Sequence, residues 1–144
     1  MLLKGRTAII TGAAKPRGLG LATAHLFAEH GARVAVLDLD AELAREVAKS
    51  LKGRGHIGIK CDVTKQRDCE KAVERALKRF GQIDTLVNNA GVTSPKRFME
   101  IDREEYDRVL GINLRGTFQM CQMVVPHMRD RKSGSIVNMA SVAG

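Results

Sequence analysis

Aromatic residues are scarce in this sequence: there is no Trp, one Tyr and four Phe. A nucleic-acid reader stacks bases on aromatic rings and gathers its basic side chains on one stripe. Neither feature is present. Lys and Arg outnumber Asp and Glu by 24 to 16, but they alternate with acids along stretches such as residues 41–50 and 65–79. No nucleic-acid partner is expected, and the surplus charge suits attraction of a small anionic ligand.

Cysteine is also sparse. Cys61, Cys69 and Cys121 are odd in number and form no Cys-x-x-Cys pair, which argues against a disulfide framework and a zinc site. No metal is expected, and reduced thiols in a cytoplasmic protein are. No apolar run approaches the ~18 residues of a membrane span. The run at residues 1–10 is too short for a signal peptide, so a soluble protein without a membrane partner is expected. Repeats, low-complexity tracts and Pro/Gly/Ser linkers are missing as well, which leaves one domain over residues 1–144.

What is present is alternation. Residues 7–11 are a short β-prone run stopped by Gly12, and residues 18–30 then place Leu19, Ala22, Leu26 and Phe27 at helical spacing. The same reading gives strands at 33–37, 56–61, 83–88 and 134–139. Helices are expected at 40–51, with Asp40 as N-cap, and at 64–80, capped by Thr64 and closed by Gly81. Residues 102–128 form a long amphipathic pattern with Tyr106, Val109, Leu110, Asn113, Thr117, Cys121, Val124 and Met128 on one face. Pro126 should kink or end that helix. Strands alternating with helices imply a parallel α/β sheet covered on both faces, a Rossmann-like doubly wound fold.

Between the first strand and first helix stands Thr11-Gly12-Ala13-Ala14-Lys15-Pro16-Arg17-Gly18-Leu19-Gly20. In a dinucleotide fold this turn offers backbone N–H groups and a helix N-terminus to a pyrophosphate. Gly12 permits the tight turn, Gly18 lets the phosphate approach, and Gly20 lets helix and strand pack closely. A plain surface turn has the same composition, so the context decides. Asp38 ends the second strand about twenty residues on, where a carboxylate can accept from the adenosine ribose or cap the next helix.

With these residues the sequence resembles the short-chain dehydrogenase/reductase family. The loop is similar to that family's Thr-Gly-x-x-x-Gly-x-Gly, although five residues, Ala13 to Arg17, separate the first two glycines instead of three. Further matches follow in family order. Cys61-Asp62-Val63 resembles the segment whose Asp contacts adenine. Asn88-Asn89-Ala90-Gly91 resembles the segment that shapes the central sheet and the cofactor cleft. Asn113 matches the helix Asn that anchors a proton-relay water, and Ser141 the catalytic Ser after the fifth strand. The remaining readings, a turn start for Asp62 and a satisfied amide for Asn113, carry no chemistry.

The resemblance implies the first five strands of the family sheet, in order 3-2-1-4-5. It implies hydride transfer between NAD(P) and a carbonyl or secondary alcohol, such as a 3-oxoacyl thioester or a polyol. Gly12, Arg17, Gly18, Leu19, Gly20, Asp38, Asp62, Val63, Asn89, Ala90 and Gly91 become cofactor positions, and Asn113 and Ser141 catalytic ones. NAD is favoured over NADP because Asp38 would repel a 2′-phosphate, while Arg17 pulls the other way. In the family a Tyr, its pKa lowered by a Lys four residues later, transfers the proton. That motif is absent: Gly144 stands three residues after Ser141, and Tyr106 is followed four residues later by Leu110. The expectation is that the domain is incomplete at its C-terminus and inactive by itself. The fifth strand would then be an open edge that invites association, and the full-length protein a homo-oligomer, dimer or tetramer. A non-catalytic dinucleotide-binding or partner-binding module is the alternative.

Overall fold

With apolar Ala8, Ile9 and Ile10 between two threonines, the segment Thr7–Thr11 has no face suited to water. It forms strand β1, buried at every residue, in the middle of the sheet. The computed structural model describes residues 1–141. After β1 come α1 (Leu19–Glu29), β2 (Arg33–Asp38), α2 (Ala41–Ser50), β3 (Ile57–Lys60), α3 (Gln66–Phe80) and β4 (Thr85–Asn88). Then follow α4 (Arg103–Leu110), α5 (Thr117–Asp130) and β5 (Ser135–Asn138). The sheet order is β3-β2-β1-β4-β5, and every neighbouring pair is parallel. The order expected from the sequence is the order found.

Alternation along the strands splits the core in two. Ile9, Leu37 and Leu86 point to one face, where Cys69, Ala72 and Ala76 of α3 and Met120, Val124 and Met128 of α5 cover them. Ile10, Val36 and Val87 point to the other, under Ala24 and Ala28 of α1 and Ala44 and Val47 of α2. Asp40, and not Asp38, caps α2: its carboxylate accepts from Glu42 N at 2.9 Å and Leu43 N at 3.0 Å, worth ~1 kcal/mol. Asp38 is left for the loop after β1.

Three expectations are corrected. Thr64 does not cap α3, which starts at Gln66, because the Asp62 carboxylate takes both its N–H and its hydroxyl in a turn of its own. Pro126 does not end α5, which runs on to Asp130. Pro126 and Gln122 are both exposed, so water can take the Gln122 carbonyl that proline leaves without a donor. The pattern at residues 102–128 is not one helix with one buried face. Asp102 caps α4, but Gly111–Gly116 widens into a π turn, and its wider turn shifts the phase of everything after it. Val124 and Met128 are buried as expected, whereas Tyr106 is 56% exposed and packs no face.

Candidate functional site

Parallel strands bring the chain segments after β1, β2 and β4 to one end of the sheet, and the crossover direction changes between β1 and β4. At that point the backbone is crowded. Gly12 has φ +62°, and a Cβ on it would stand 2.8 Å from Ala90 Cα. A Cβ on Gly20 would stand 2.7 Å from Gly12 O and 2.9 Å from Ala13 Cα. Side chains are excluded here so that α1, its loop and the segment after β4 can touch.

Hydrogen bonds fasten the same contact. Asn89 Nδ2 donates to Thr11 O and Gly12 O, each at 3.0 Å. The Thr11 hydroxyl accepts from Asn89 N at 3.1 Å and Ala90 N at 3.0 Å. Asp38 Oδ2 accepts from Ala14 N at 2.9 Å, which ties the end of β2 to the glycine loop. Gly12, Gly20, Asp38, Asn89 and Ala90 are therefore brought together.

The two extra residues of the loop fold by themselves. Gly18 N donates to Lys15 O at 3.1 Å, closing a turn with Pro16 in second place and Arg17 in third at φ +58°. That is the arrangement of a type II turn. Arg17 is exposed and Gly18 half-buried, and Leu19 is 68% exposed at the start of α1.

Asp62 and Val63 sit where β3 passes into α3. Burial alone would push the Asp62 carboxyl up, but hydrogen bonds from Thr64 and the Lys65 ammonium at 3.5 Å hold it below its ordinary range. Val63 O accepts from the buried Gln119 Nε2 at 2.6 Å. Gly91 lies beside Asn113, and the next residue is Asn113's partner: Val92 N donates to Asn113 Oδ1, and Asn113 Nδ2 donates to Val92 O, both at 2.9 Å. Asn113 is exposed on the π turn rather than buried on an apolar face. Asn88 Nδ2 bonds Asn138 Oδ1 at 2.9 Å, joining the ends of β4 and β5. Ser141 follows β5 at this same end of the sheet and is exposed. Among the described residues no cluster of His, Cys, Asp or Glu is suited to a metal ion.

Sequence reasoning missed the Thr11 hydroxyl, the Ala14 N–H and Gln119. A hydroxyl at the end of a fully apolar strand was the available signal for Thr11, since buried polar groups take partners. Nothing local announced the other two.

Residues 6–144 match the family model described as short chain dehydrogenase. The chain belongs to this family. Among curated relatives of this short-chain dehydrogenase is an uncharacterized short-chain type dehydrogenase/reductase of Sinorhizobium fredii, 44% identical over 99% of this chain and 58% of its own length. The D-threitol dehydrogenase of Mycolicibacterium smegmatis is 45% identical over 98% of this chain and 54% of its own length. A crystal structure of 3-ketoacyl-(acyl-carrier-protein) reductase from Brucella melitensis, complexed with NADH, superposes with a TM-score of 0.84. It is 38% identical and covers 90% of this chain, which in turn covers 52% of it. The chain thus spans little more than half the length of these relatives.

Proposed function

We propose that the carboxyl end of the sheet binds NAD(H), in a site for hydride transfer between the cofactor and a carbonyl or secondary alcohol. One observation carries the reading. Helix α1 begins at Gly18 with no side-chain cap and no acid in its first turn, whereas α2 and α4 begin on Asp40 and Asp102 with glutamates behind them. A helix start left without a carboxylate suits an external anion, here the pyrophosphate.

In this reading Leu19 offers its backbone N–H group and Gly18 lets the phosphate approach it, while Gly12 and Gly20 let the loop close against Ala90 and Asn89. Asp38 takes the hydroxyls of the adenosine ribose. Asp62 and Val63 flank the adenine, near a cavity of about 590 Å³ lined by Leu39, Lys60, Asp62 and Lys65. Asn89, Ala90 and Gly91 line the cleft. The NADH in the Brucella melitensis relative agrees with this assignment. Asp38 would repel a 2′-phosphate, so NAD is the preferred form, and Arg17 is the residue that would favour NADP.

The nicotinamide supplies or takes the hydride when bound. Ser141 orients the substrate oxygen through its hydroxyl. Asn113 fixes the segment after β4 through Val92 and keeps one lone pair and one N–H, enough to hold a relay water. The proton donor is not Tyr106, which is exposed on α4 with Leu110 four residues on. Residues 1–144 alone are therefore expected to bind dinucleotide without turning over a carbonyl substrate. The named activities of relatives, on 3-oxoacyl thioesters and on polyols, bracket the substrate class.

The test is a fluorescence titration with NADH and NADPH. NADH should bind more tightly by about tenfold, equivalent to ~1.4 kcal/mol. Tighter binding of NADPH would reverse the Asp38 assignment, and absence of binding to either would end the cofactor reading.

A further inference from the structure

The outer edge of β3 carries a cavity that the nucleotide site does not use. It measures about 410 Å³ and is lined by Arg45 and Lys49 of α2, Arg54 and His56 of the loop before β3, and Arg75 of α3. Among the described residues no Asp or Glu lines it. The cavity near the Asp62 turn differs, since there Lys60, Lys65 and Lys71 stand with Asp62 and Asp68. Arg45 is paired with Glu42, but Lys49, Arg54 and Arg75 enter no salt bridge among the described residues.

The local sequence builds this cavity. Gly58 has no side chain, and a Cβ there would stand 2.3 Å from Ala44 O, so α2 lies directly on β3. Arg45 and Lys49, four residues apart, are thereby set beside the edge on one face of α2. The loop after α2 turns back through Gly53 at φ +107° and Gly55 at φ +86°, with Arg54 between them. His56 pins that loop. Its Nδ1 accepts from Val34 N at 3.1 Å, so its Nε2 carries the proton and donates to Lys52 O at 3.1 Å. In this arrangement the imidazole is neutral and shapes the cavity without charging it. Cys61 N donates to Asp38 O at 2.8 Å, so strand alternation turns Ile57 and Ile59 N–H toward β2 and Gly58 N–H outward, on the side of the cavity.

We propose that this cavity is an anion site of its own, which holds the phosphates of an oligophosphate through Lys49, Arg54 and Arg75 with the Gly58 N–H. The proposal does not rest on the cofactor assignment. Guanidinium forks match phosphate oxygens in pairs, and a lysine adds a point charge. Three cations without carboxylate partners line one volume, so a monovalent anion would balance only one of them. A chain of two or three phosphates balances all three. No aromatic side chain lines the cavity, so a base has no ring to stack on and the phosphates are what is read. The source is then either a free oligophosphate or the phosphate end of a nucleotide.

The test is a calorimetric titration of inorganic pyrophosphate into the protein at low ionic strength, with NADH saturating so that the nucleotide site is filled. Binding of one pyrophosphate per chain is expected, at least about tenfold tighter than orthophosphate. Arg54→Gln and Arg75→Gln should each weaken it about tenfold, and Lys49→Gln about threefold. All three side chains are exposed, so the variants should keep the fold, which urea unfolding checks. Arg75 also borders the cavity near Asp62, so Arg54→Gln and Lys49→Gln are the variants expected to leave NADH affinity within about twofold. Lys78→Gln removes an exposed cation of α3 outside the cavity and should change nothing. Triphosphate and ATP arms distinguish the sources: tighter ATP supports a nucleotide, tighter triphosphate a free oligophosphate. No pyrophosphate binding, displacement of pyrophosphate by NADH, or equal losses in Lys78→Gln and Arg54→Gln would each overturn the site. Should NADH itself fail to bind, the cofactor assignment falls and the variants still decide the anion site.

Discussion

The two ends of the sheet are finished in opposite ways. At the amino end Asp84 is 5% exposed and saturated with donors: Thr7 N at 2.9 Å, Gln82 Nε2 at 2.8 Å, Arg131 Nη2 at 3.1 Å, the Thr7 hydroxyl at 3.2 Å and Arg6 Nη1 at 3.4 Å. Two imidazoles close the same end, His56 Nδ1 accepting from Val34 N at 3.1 Å and His127 Nε2 from Ile83 N at 3.2 Å. At the carboxyl end Asp38 accepts, among the described residues, only from Ala14 N and, at 3.5 Å, Asp40 N, and the first turn of α1 carries no acidic residue. One end spends its polar groups on itself. The other holds its backbone together and keeps polar groups for something else, as doubly wound sheets do at the ends of their strands.

The strongest way to break this contrast is Gly20→Val. Its Cβ would meet Gly12 O at 2.7 Å and Ala13 Cα at 2.9 Å, atoms that cannot swing away. The cost should exceed about 3 kcal/mol by urea unfolding, and NADH binding should vanish with it. Asp84→Ala attacks the closed end, stranding Arg131 beside an empty carboxylate position. It should cost about 3 kcal/mol while leaving NADH affinity of the folded protein within about twofold. Asp38→Asn is the mirror image. Unfolding should shift by less than about 1 kcal/mol, but the preference for NADH over NADPH should shrink about tenfold in paired titrations. If Asp84→Ala weakened NADH as much as Asp38→Asn did, the division of labour would be wrong.

The smallest effect is a pH slope. Burial pushes the His56 imidazole below its usual 6.5, although its bond to Lys52 O opposes this. Its contribution is then complete above pH 6.5 and lost as pH falls from there through the folded value. A loss of less than about 1 kcal/mol in urea stability between neutral pH and about pH 5 should disappear in His56→Ala. Asp84 acts lower. Burial would raise its carboxyl, but Gln82, Thr7 and Arg131 hold it below 3.8, so its contribution persists above that value and is lost as pH falls through the depressed one.

The strands were legible because each is a short apolar run bounded by glycine or a polar residue, a purely local signal, whereas their order in the sheet came from the resemblance to the family. Gly12, Gly20 and Asp38 were legible because the turn chemistry and their spacing are local too. Illegible features depend on partners distant in sequence. Asp84 reads as one acid in a strand, yet its donors include Arg131, and nothing near residue 84 announces it. The π turn at Gly111–Gly116 escaped for a related reason: its residues fit α-helical spacing, and Asn113 faces Val92 only because the phase slips there. Thr64 was misread because Asp62, two residues earlier, competes for the same donors.

The turn from Lys15 to Gly18 closes on its own hydrogen bond and leaves the contacts of Gly12 and Gly20 in place. The residues that make the loop longer are therefore a self-contained cassette. Short sequences of other lengths or charges could be exchanged there with little strain on the sheet, which makes this hairpin the natural place to graft a reporter or to alter the charge a ligand meets first.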